Sequence, residues 1–438
     1  MLVVSNPIAR RAIVAASFGN AMEWYDFSVY AYFASYIARN FFVTDNPTSA
    51  LINTFIVFGT GFLARPIGAV CIGMYGDRVG RKSALMLAIM TMSAGTVVLA
   101  LAPPAVYIGI AAPILLVVGR LLQGFSAGGE IGGAAAFLIE HSPTDQSARY
   151  SSWLQASMGA SNLISAIVGL GITTLFSDAA INNWVWRVPF LLGILILPLG
   201  VYIRRQLPET EAFERRHAAC EPVRSPLLVL LLEQPQRLVT GFLFSVLWTV
   251  SVYAFVIYAP TYYKDPCTGL GFTPQQSFLA SLVGNVILVI GCLLAGWTAD
   301  RVGKQRVVVA GSLALLVMPV PCLFWLHLQA TLPVLLVVHS LLCAAVAAFA
   351  GVAPAVLPRL FPVTVRSTGV SLSYNFAAIF FAGFTPALMT WAITQITIYA
   401  PALWVSLGAV VCLAAVGPLF RQIREVSEQE AKVSVSGA

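Results

Sequence analysis

Charged residues are scarce in this sequence. Only 10% of its 438 residues are Asp, Glu, Lys or Arg, whereas 58% are hydrophobic; a soluble domain carries about 25% charged residues. Apolar runs near the length of a membrane span recur from one end of the chain to the other. The shortage of charge and of long polar segments excludes a soluble globular protein. The predicted class is an all-α polytopic membrane protein.

Motifs of metal sites and of hydrolytic enzymes are missing as well. The seven cysteines form no CxxC pair and no Cys/His cluster, so neither a disulfide framework nor a metal site is expected. No HExxH sequence occurs, which, with the lack of a Cys/His set, argues against a membrane-embedded enzyme. A receptor-like sensor with a transporter fold would be expected to carry a signalling domain or a long tail, and the sequence predicts neither. The net charge of +7 is spread through short loops, so no nucleic-acid partner is predicted.

Twelve membrane spans can be drawn along the chain. They form an N-terminal six-helix bundle over residues 1–206 and a C-terminal six-helix bundle over 237–438, which ends in a short tail. Residues 207–236 form the only long polar segment, predicted to be a solvated inter-bundle loop. The predicted spans are 11–37, 50–74, 83–102, 107–140, 148–176, 184–206, 237–263, 275–299, 306–326, 331–357, 366–397 and 399–421.

The placement of Lys and Arg predicts the orientation. With the N-terminus inside, almost all basic residues fall in or beside cytoplasmic connections, and the outside connections hold only Arg39, Arg187 and Lys264. This positive-inside bias places both termini in the cytoplasm. Arg10 and Arg11 precede an apolar stretch too long for a signal-peptide core, so the first helix is expected to remain in the mature protein.

The two halves repeat a loop sequence. Residues 73–82 read GMYGDRVGRK, and residues 296–304 read GWTADRVGK, 223 positions later. Repeated six-helix halves with a site between them near the membrane midplane are typical of rocking transporters. We expect both loops to form cytoplasmic gates. In the first loop, Asp77 can face the N-terminus of a neighbouring helix, while Arg78 and Arg81 bond carboxylates or C-terminal carbonyls. The expected gate residues are Gly73, Asp77, Arg78, Gly80, Arg81, Gly296, Asp300, Arg301 and Gly303.

A few ionisable residues lie inside the predicted spans. At about 100° per residue, Gly19, Glu23, Asp26 and Tyr30 share one face of the first helix. Buried carboxylates in a membrane face a protein interior or a water-filled cavity and need partners. Arg120 of span four lies at a similar depth to Asp26, so the two can form a pair.

That pair has two interpretations. In the first, the pair controls protonation of Asp26: Arg120 favours the ionised carboxylate, and Asp26 takes up a proton when Arg120 is drawn away. In the second, the pair only joins helices one and four. Glu23 could equally be the titrating group. Glu130 of span four contacts either substrate or the loop machinery.

Uncharged polar residues in the apolar spans are candidates for the wall of a shared cavity, although each alone could equally form an interhelical hydrogen bond. With Glu130, the substrate-binding candidates are Asn20, Tyr30, Gln123, Gln155, Asn162, Asn285, Tyr374 and Asn375.

Several segments together resemble one family. They are the first-helix run Gly19–Phe27, RPIG at 65–68, GRLLQGFSAGGE at 119–130, WRVPF at 186–190 and LPETEAF at 207–213, with the two GxxxDRxG loops. The loops are similar to those of the major facilitator superfamily, and the whole set resembles its metabolite:proton symporters. The stretch 58–130 is most similar to the citrate and tricarballylate carriers.

The resemblance implies a proton-coupled symporter of the bacterial inner membrane. It would import a small organic acid, citrate first, by alternating access, with proline, betaine or shikimate as alternative substrates. Its partners would be that acid, protons and lipid, and it would act as a monomer without a cofactor. The proton-coupling residues would be Asp26, Arg120 and Glu23.

Overall fold

The computed structural model describes residues 7–79, 81–128, 130–140, 142–143, 145–195 and 226–436. In this part of the chain nine helices are long and apolar enough to cross a membrane. Two shorter apolar helices and the charged first helix of 26 residues account for the rest of the twelve predicted spans.

The first half contributes six main helices. They are α1 (Pro7–Tyr32), α2 (Pro47–Val79), α3 (Arg81–Leu101), α4 (Ala111–Ala127), α5 (Ser147–Leu175) and α6 (Val185–Leu195). Two of them continue after a short break, α1 as Ala34–Phe41 and α4 as Glu130–Glu140. Short helices over Ala105–Ile108 and Asp178–Asn183 lie in connections.

The second half contributes the other six. They are α7 (Pro235–Val252), α8 (Pro274–Val302), α9 (Lys304–Val317), α10 (Leu332–Ala350), α11 (Arg366–Ala378) and α12 (Ala400–Ser436). Four of these continue beyond a break or a change of helix type: α7 as π-helical Tyr253–Ile257 and helix Ala259–Lys264, α9 as Pro319–Leu328, α10 as Ala353–Val356, and α11 as π-helical Ile379–Gly383 and helix Thr385–Gln395.

Two predicted boundaries differ from the structure. The segment expected to be a loop up to residue 236 contains a helix, Pro226–Glu233, because a proline suits the first turn of a helix and the following leucines are apolar. The last helix continues 15 residues past the predicted end at 421, to Ser436. Ion pairs along this extension support it, including Arg421 to Glu425 at 3.3 Å and Arg366 to Glu430 at 3.1 Å.

Helix α8 shows how the sequence sets the limits of one span. Thr273 accepts a hydrogen bond from the backbone N–H of Gln276, and the Gln276 side chain accepts one from the backbone N–H of Thr273. This capping box satisfies two of the N–H groups that a helix start leaves open. The helix ends at Gly303, whose φ of 104° is accessible to glycine and rarely to other residues.

Close backbone contacts hold α2 and α4 together. A Cβ built on Gly124 would lie 1.7 Å from the backbone oxygen of Gly61, and one on Gly128 would lie 1.9 Å from that of Arg65. Small residues permit this approach between membrane helices. The contact fixes the position of Arg65 relative to α4, and therefore relative to Arg120.

The two halves meet along α5 with α8 and along α2 with the second part of α11. The first helix also contacts the second half, since the hydroxyl of Tyr32 donates to the backbone oxygen of Val256 at 3.4 Å. The buried charged residues of α1, α2 and α4 lie beside this interface between the bundles.

Candidate functional site

Two facing helix stripes place four side chains in one layer. In α1, Glu23 and Phe27 are one turn apart, and in α2, Phe62 and Arg65 are three residues apart, so each pair shares a face. Arg65 donates to Glu23 Oε1 at 2.9 Å, and both side chains are 1% exposed. This ion pair is buried between the helices.

Both buried arginines stack on aromatic rings. The guanidinium carbon of Arg120 lies 4.1 to 4.8 Å from the ring centres of Phe27, Tyr30 and Phe58. That of Arg65 lies 4.9 Å from Phe27 and 4.3 Å from Phe62. The Phe27 ring thus contacts both cations, which cation–π attraction stabilises out of water. The two arginines and the four rings that they contact are called the arginine layer below: Arg65, Arg120, Phe27, Tyr30, Phe58 and Phe62.

Each arginine retains donors that bond no described group. Arg120 Nη1 donates to Gln123 Oε1 at 2.7 Å, and Arg65 Nη2 donates to Glu23. Arg120 Nε and Nη2 and Arg65 Nε and Nη1 are buried without a hydrogen-bond partner among the described residues. Buried polar groups are usually bonded, so these nitrogens are candidate ligand contacts for carboxylate oxygens.

Asp26 is linked to Arg120 through a neutral side chain. Its Oδ2 accepts hydrogen bonds from the hydroxyl of Thr96 and from Gln123 Nε2, the latter at 3.4 Å. Gln123 therefore donates to Asp26 with one end of its amide and accepts from Arg120 with the other. A change at Arg120 is transmitted to Asp26 through this amide.

The direct contact expected between Asp26 and Arg120 is absent from the ion pairs of the described residues, in which Glu23 pairs with Arg65 instead. The guanidinium of Arg120 lies over the rings of Phe27, Tyr30 and Phe58, and Gln123 occupies the space towards α1. The similar depth of Asp26 and Arg120 on their helices did not determine the rotamers.

The second half covers this layer with aromatic residues. The Tyr253 ring lies 5.5 Å from that of Phe62, 6.2 Å from Phe58 and 5.7 Å from Trp24. Tyr253 begins the π-helical turn of α7. The other π-helical turn, in α11, ends at Gly383, whose Cβ would lie 2.7 Å from Phe62. Such turns occur often at functional sites, and here both pack against the arginine layer.

The predicted polar residues fall into three groups. Tyr30 and Gln123 belong to the arginine layer, as described above. Three others bond across the bundles: Gln155 accepts from Trp248 at 3.0 Å, Asn375 donates to the Gly128 oxygen at 2.8 Å, and Asn285 donates to Tyr32 at 3.3 Å. Tyr374 packs on Trp248, the partner of Gln155, within the second bundle at 5.0 Å. The last two join α1 to α5, since Asn20 donates to the Leu154 oxygen at 2.8 Å and Asn162 accepts from Ser28.

The second loop signature lies at one end of the interface. Asp300 accepts from the backbone N–H groups of Ala148 at 3.0 Å and Arg149 at 2.8 Å, in the first turn of α5, where a carboxylate stabilises a helix start. Arg301 stacks on the Trp297 ring at 3.8 Å. The Cβ of a residue at Gly296 would lie 2.7 Å from the Ala148 oxygen. These contacts join α8 to α5 at the end predicted to face the cytoplasm.

The first loop signature cannot be compared in the same way. The structure does not describe Gly80, nor the surroundings of Gly73. It also does not describe the side chains of Asp77, Arg78, Arg81 and Glu130.

The opposite end of the interface is closed by Lys264. Its ammonium donates to the Tyr32 oxygen at 3.4 Å and lies 5.9 Å and 5.6 Å from the ring centres of Tyr36 and Phe278. Lys264 lies seven residues past the apolar span that ends at Ile257. Burial lowers its pKa from the usual 10.5 to about 8, helped by the nearby charge of Arg39 and opposed by Asp178 and Asp265.

This burial predicts a pH-dependent closure. Opening this end returns Lys264 to water and restores its ordinary pKa, so the open form binds the proton more tightly. Raising the pH from about 8 towards 10 therefore favours the closed form. The reporter is Ser281→Cys on α8. The exposed Cys71 and Cys267 and Cys220 of the predicted inter-bundle loop are replaced by Ser, and the protein is labelled with a membrane-impermeant maleimide.

Each labelling rate is divided by that of the same reporter carrying Lys264→Met at the same pH, which cancels the ionisation of the thiol. The ratio should fall as the pH rises across this range. A ratio that stays constant from about pH 7 to pH 10 would contradict the role of Lys264.

Sequence reasoning missed Arg65 and Tyr253. The available signal for Arg65 was a lone arginine inside the predicted span 50–74, on the same helical face as Phe58 and Phe62. For Tyr253 there was no comparable signal, because its position depends on a π-helical turn. Among the described residues, no three His, Cys, Asp or Glu side chains are grouped as metal ligands would be.

Comparison with known proteins identifies the fold and the family. The family model described as the Major Facilitator Superfamily matches residues 16–338. The citrate-proton symporter of Salmonella typhi is 34% identical, covering 93% of each chain, and that of Klebsiella pneumoniae is 34% identical, over 94% of this chain and 92% of its own. The proline/betaine transporter of Escherichia coli K12 is 30% identical over 94% of this chain and 83% of its own.

Solved structures agree. A crystal structure of a D-xylose-proton symporter superposes with a TM-score of 0.72 at 18% identity, covering 92% of this chain and 97% of its own. The structure of a proton:xylose symporter bound to 6-bromo-6-deoxy-D-glucose gives 0.75 at 18% identity, with 95% and 96% coverage. At this identity the likeness concerns the fold. The relatives named above are transporters, not enzymes, and the chain is a multi-pass membrane protein that belongs to the Major Facilitator Superfamily.

Proposed function

We propose that this chain is a proton-coupled symporter of a small organic di- or tricarboxylate, citrate first. The observation that carries the proposal is the pair of buried arginines, Arg65 and Arg120, beside the interface of the bundles; each has two nitrogens that bond no described group. Arginine binds carboxylates through two parallel N–H groups. Two arginines in one layer suit a substrate with more than one carboxylate.

The relatives support the same substrate class. The Salmonella typhi and Klebsiella pneumoniae proteins are named citrate-proton symporters. Their identity to this chain exceeds that of the proline/betaine transporters, which reach 32% in Staphylococcus aureus and 30% in Escherichia coli.

The network around Asp26 supplies the coupling. A carboxylate of the substrate that bonds Arg120 through Nε and Nη2, the nitrogens that bond no described group, engages the positive charge that favoured ionised Asp26. This change favours protonation of Asp26, so substrate and proton bind together.

Glu23 is less suited to this exchange than Asp26. It is paired directly with Arg65, and protonating it would leave a buried arginine without its counter-charge, which is costly. Asp26 accepts from two neutral donors, Thr96 and Gln123. Its protonation breaks no ion pair among the described residues, and a bound substrate carboxylate would supply the counter-charge of Arg120.

The structure represents the closed stage of alternating access in this proposal. At one end of the interface, Asp300 of α8 bonds the first turn of α5. At the other end, Lys264 donates to the Tyr32 oxygen. Arg120 is fully buried between the two ends. Rocking of one bundle against the other would break one set of contacts at a time. The chain would function in the bacterial inner membrane as a monomer, with both termini in the cytoplasm.

A betaine symporter is the alternative, and the aromatic layer is the observation that favours it. Rings such as Phe27, Phe58 and Tyr253 can hold a quaternary ammonium group. In this chain, however, the faces of Phe27 and Phe58 already contact Arg120. A cationic ligand placed there would meet an arginine of the same charge.

A substrate panel in proteoliposomes tests the proposal. Under an imposed inward pH gradient, labelled citrate, tricarballylate and 2-oxoglutarate should accumulate, and a protonophore should abolish their accumulation. Protein-free liposomes provide the background. Entry of proline betaine without entry of any of the three carboxylates would overturn the substrate assignment.

A further inference from the structure

A small cavity lies beside Asp26, away from the arginine layer. It has a volume of about 20 Å³, and a buried water molecule needs about 10–15 Å³. Three helices line it without closing it off: Met22 and Asp26 come from α1, Met92 and Thr96 from α3, and Gly193 from α6. None of these residues contacts Arg65 or Arg120 through a described hydrogen bond or ring contact.

Asp26 stands between the two faces of α1. At about 100° per residue, Tyr30 and Glu23 lie about 40° and 60° to one side of it. Met22 and Tyr25 lie about 40° and 100° to the other side. One carboxylate therefore borders both the arginine layer and the cavity.

The two oxygens of Asp26 divide between these surroundings. Oδ2 accepts from Thr96 and Gln123 and so belongs to the network of Arg120. A Cβ on Gly193 would lie 2.9 Å from Oδ1, which places this oxygen at the wall of the cavity. No described hydrogen bond reaches Oδ1. Ser93 also lines the cavity. Its hydroxyl donates to the Ile89 oxygen and keeps lone pairs that a water can bond.

We propose that this cavity is a bound-water site through which Asp26 exchanges its proton by a route separate from that of the substrate. The inference rests on the proposed role of Asp26 in proton coupling. When Asp26 releases its proton, the carboxyl O–H bond breaks and the water oxygen gains the proton. The hydronium ion formed then passes one of its protons to bulk water on the cytoplasmic side, so atoms and charge balance.

The position of the cavity suits release of the Asp26 proton to the cytoplasm rather than uptake of a proton from outside. Met22 and Met92 each lie one turn before Asp26 and Thr96 along helices that run outward from the predicted cytoplasmic side. The cavity therefore extends from Asp26 towards the cytoplasm. The glycine at position 193 keeps it open, because any larger residue would place an atom against Oδ1.

Water in the cavity can be tested without substrate. X-ray radiolytic footprinting of the protein in nanodiscs oxidises side chains that lie next to bound water. Met92, although buried, should be oxidised about tenfold faster than the buried Met158 and Met389. Gly193→Ala should reduce the Met92 rate to theirs. Equally slow oxidation of Met92 in the unaltered protein would overturn the proposal.

Transport provides the second readout. Gly193→Ala should slow proton-driven citrate uptake about tenfold or more and leave citrate counterflow, which needs no net proton movement, at the unaltered rate. The matched control is Gly171→Ala on α5, where an added Cβ meets no atom within 4 Å. Unchanged driven uptake, or equal loss of counterflow, would overturn the separate route. Absence of citrate counterflow in the unaltered protein would contradict the proposed substrate alone, since the Met92 oxidation does not depend on it.

Discussion

Replacing Asp26 with Asn is expected to abolish proton-driven accumulation of substrate while citrate exchange continues. Asn can occupy the same space and bond Thr96 and Gln123, but it cannot take up a proton. The rate of driven uptake should fall by about 100-fold or more, the size of effect that a positioned proton-transfer group provides. The measurement compares gradient-driven uptake and counterflow of labelled citrate in proteoliposomes.

Two variants serve as controls for this prediction. Asp178→Asn changes a carboxylate that is exposed and paired with Arg39 at 3.1 Å, and it should leave both rates unchanged. Glu23→Gln tests the other buried carboxylate of α1. Intact accumulation in Asp26→Asn, together with lost accumulation but retained citrate exchange in Glu23→Gln, would move the proton role to Glu23.

Replacing Arg120 with Lys should weaken citrate binding by about 10- to 100-fold, since a hydrogen bond to a charged group is worth about 1.5–3 kcal/mol. Lysine keeps the charge, but it lacks the planar fork that bonds a carboxylate twice and stacks on rings. Calorimetric titration of the purified protein in nanodiscs gives the dissociation constant. Arg120→Gln should be weaker still, because the charge is also lost.

Arg187→Lys is the matched control for Arg120. Arg187 is also largely buried, stacks on Trp186 at 4.2 Å and donates to the Ala102 oxygen at 2.9 Å, but it lies outside the arginine layer. Its replacement should leave the citrate dissociation constant unchanged. An unchanged constant in Arg120→Lys would mean that Arg120 does not bind substrate.

Arg65 needs a different design, because it has a buried counter-charge. Arg65→Gln alone would leave Glu23 buried without the cation it pairs with, at a cost of about 3–5 kcal/mol of stability. The double variant Glu23→Gln with Arg65→Gln removes both charges together. It should fold and should lose affinity for tricarboxylates, as Arg120→Lys does.

The membrane-spanning helices were predictable from the sequence because spans follow from length and apolarity alone. The ionisable residues that lie within them could be read from the same spans. Asp300 accepts from the backbone N–H groups of Ala148 and Arg149 at a helix N-terminus. The sequence suggested this contact for the matching Asp77 of the first loop, whose side chain lies outside the described residues. The first helix likewise places Glu23 and Asp26 inside the protein, since both are less than 5% exposed.

The partners of these charges were not predictable. Helical periodicity gives the face of a residue but not its rotamer, so Asp26 and Arg120 were expected to touch, whereas Gln123 bridges them. Asn20 and Asn162 are polar residues in apolar spans, as residues of a cavity wall would be, yet both form hydrogen bonds within the first bundle. The π-helical turns at Tyr253 and Ile379 depend on packing between the bundles, which no local pattern records.

The most direct test of the central claim is proton movement driven by citrate alone. Purified protein is reconstituted into liposomes at equal pH inside and outside, and citrate is added outside while an external pH dye is followed. The account predicts that the external medium becomes more alkaline with the unaltered protein and not with Asp26→Asn. Citrate entry without any change of external pH, or an equal change in Asp26→Asn, would contradict it.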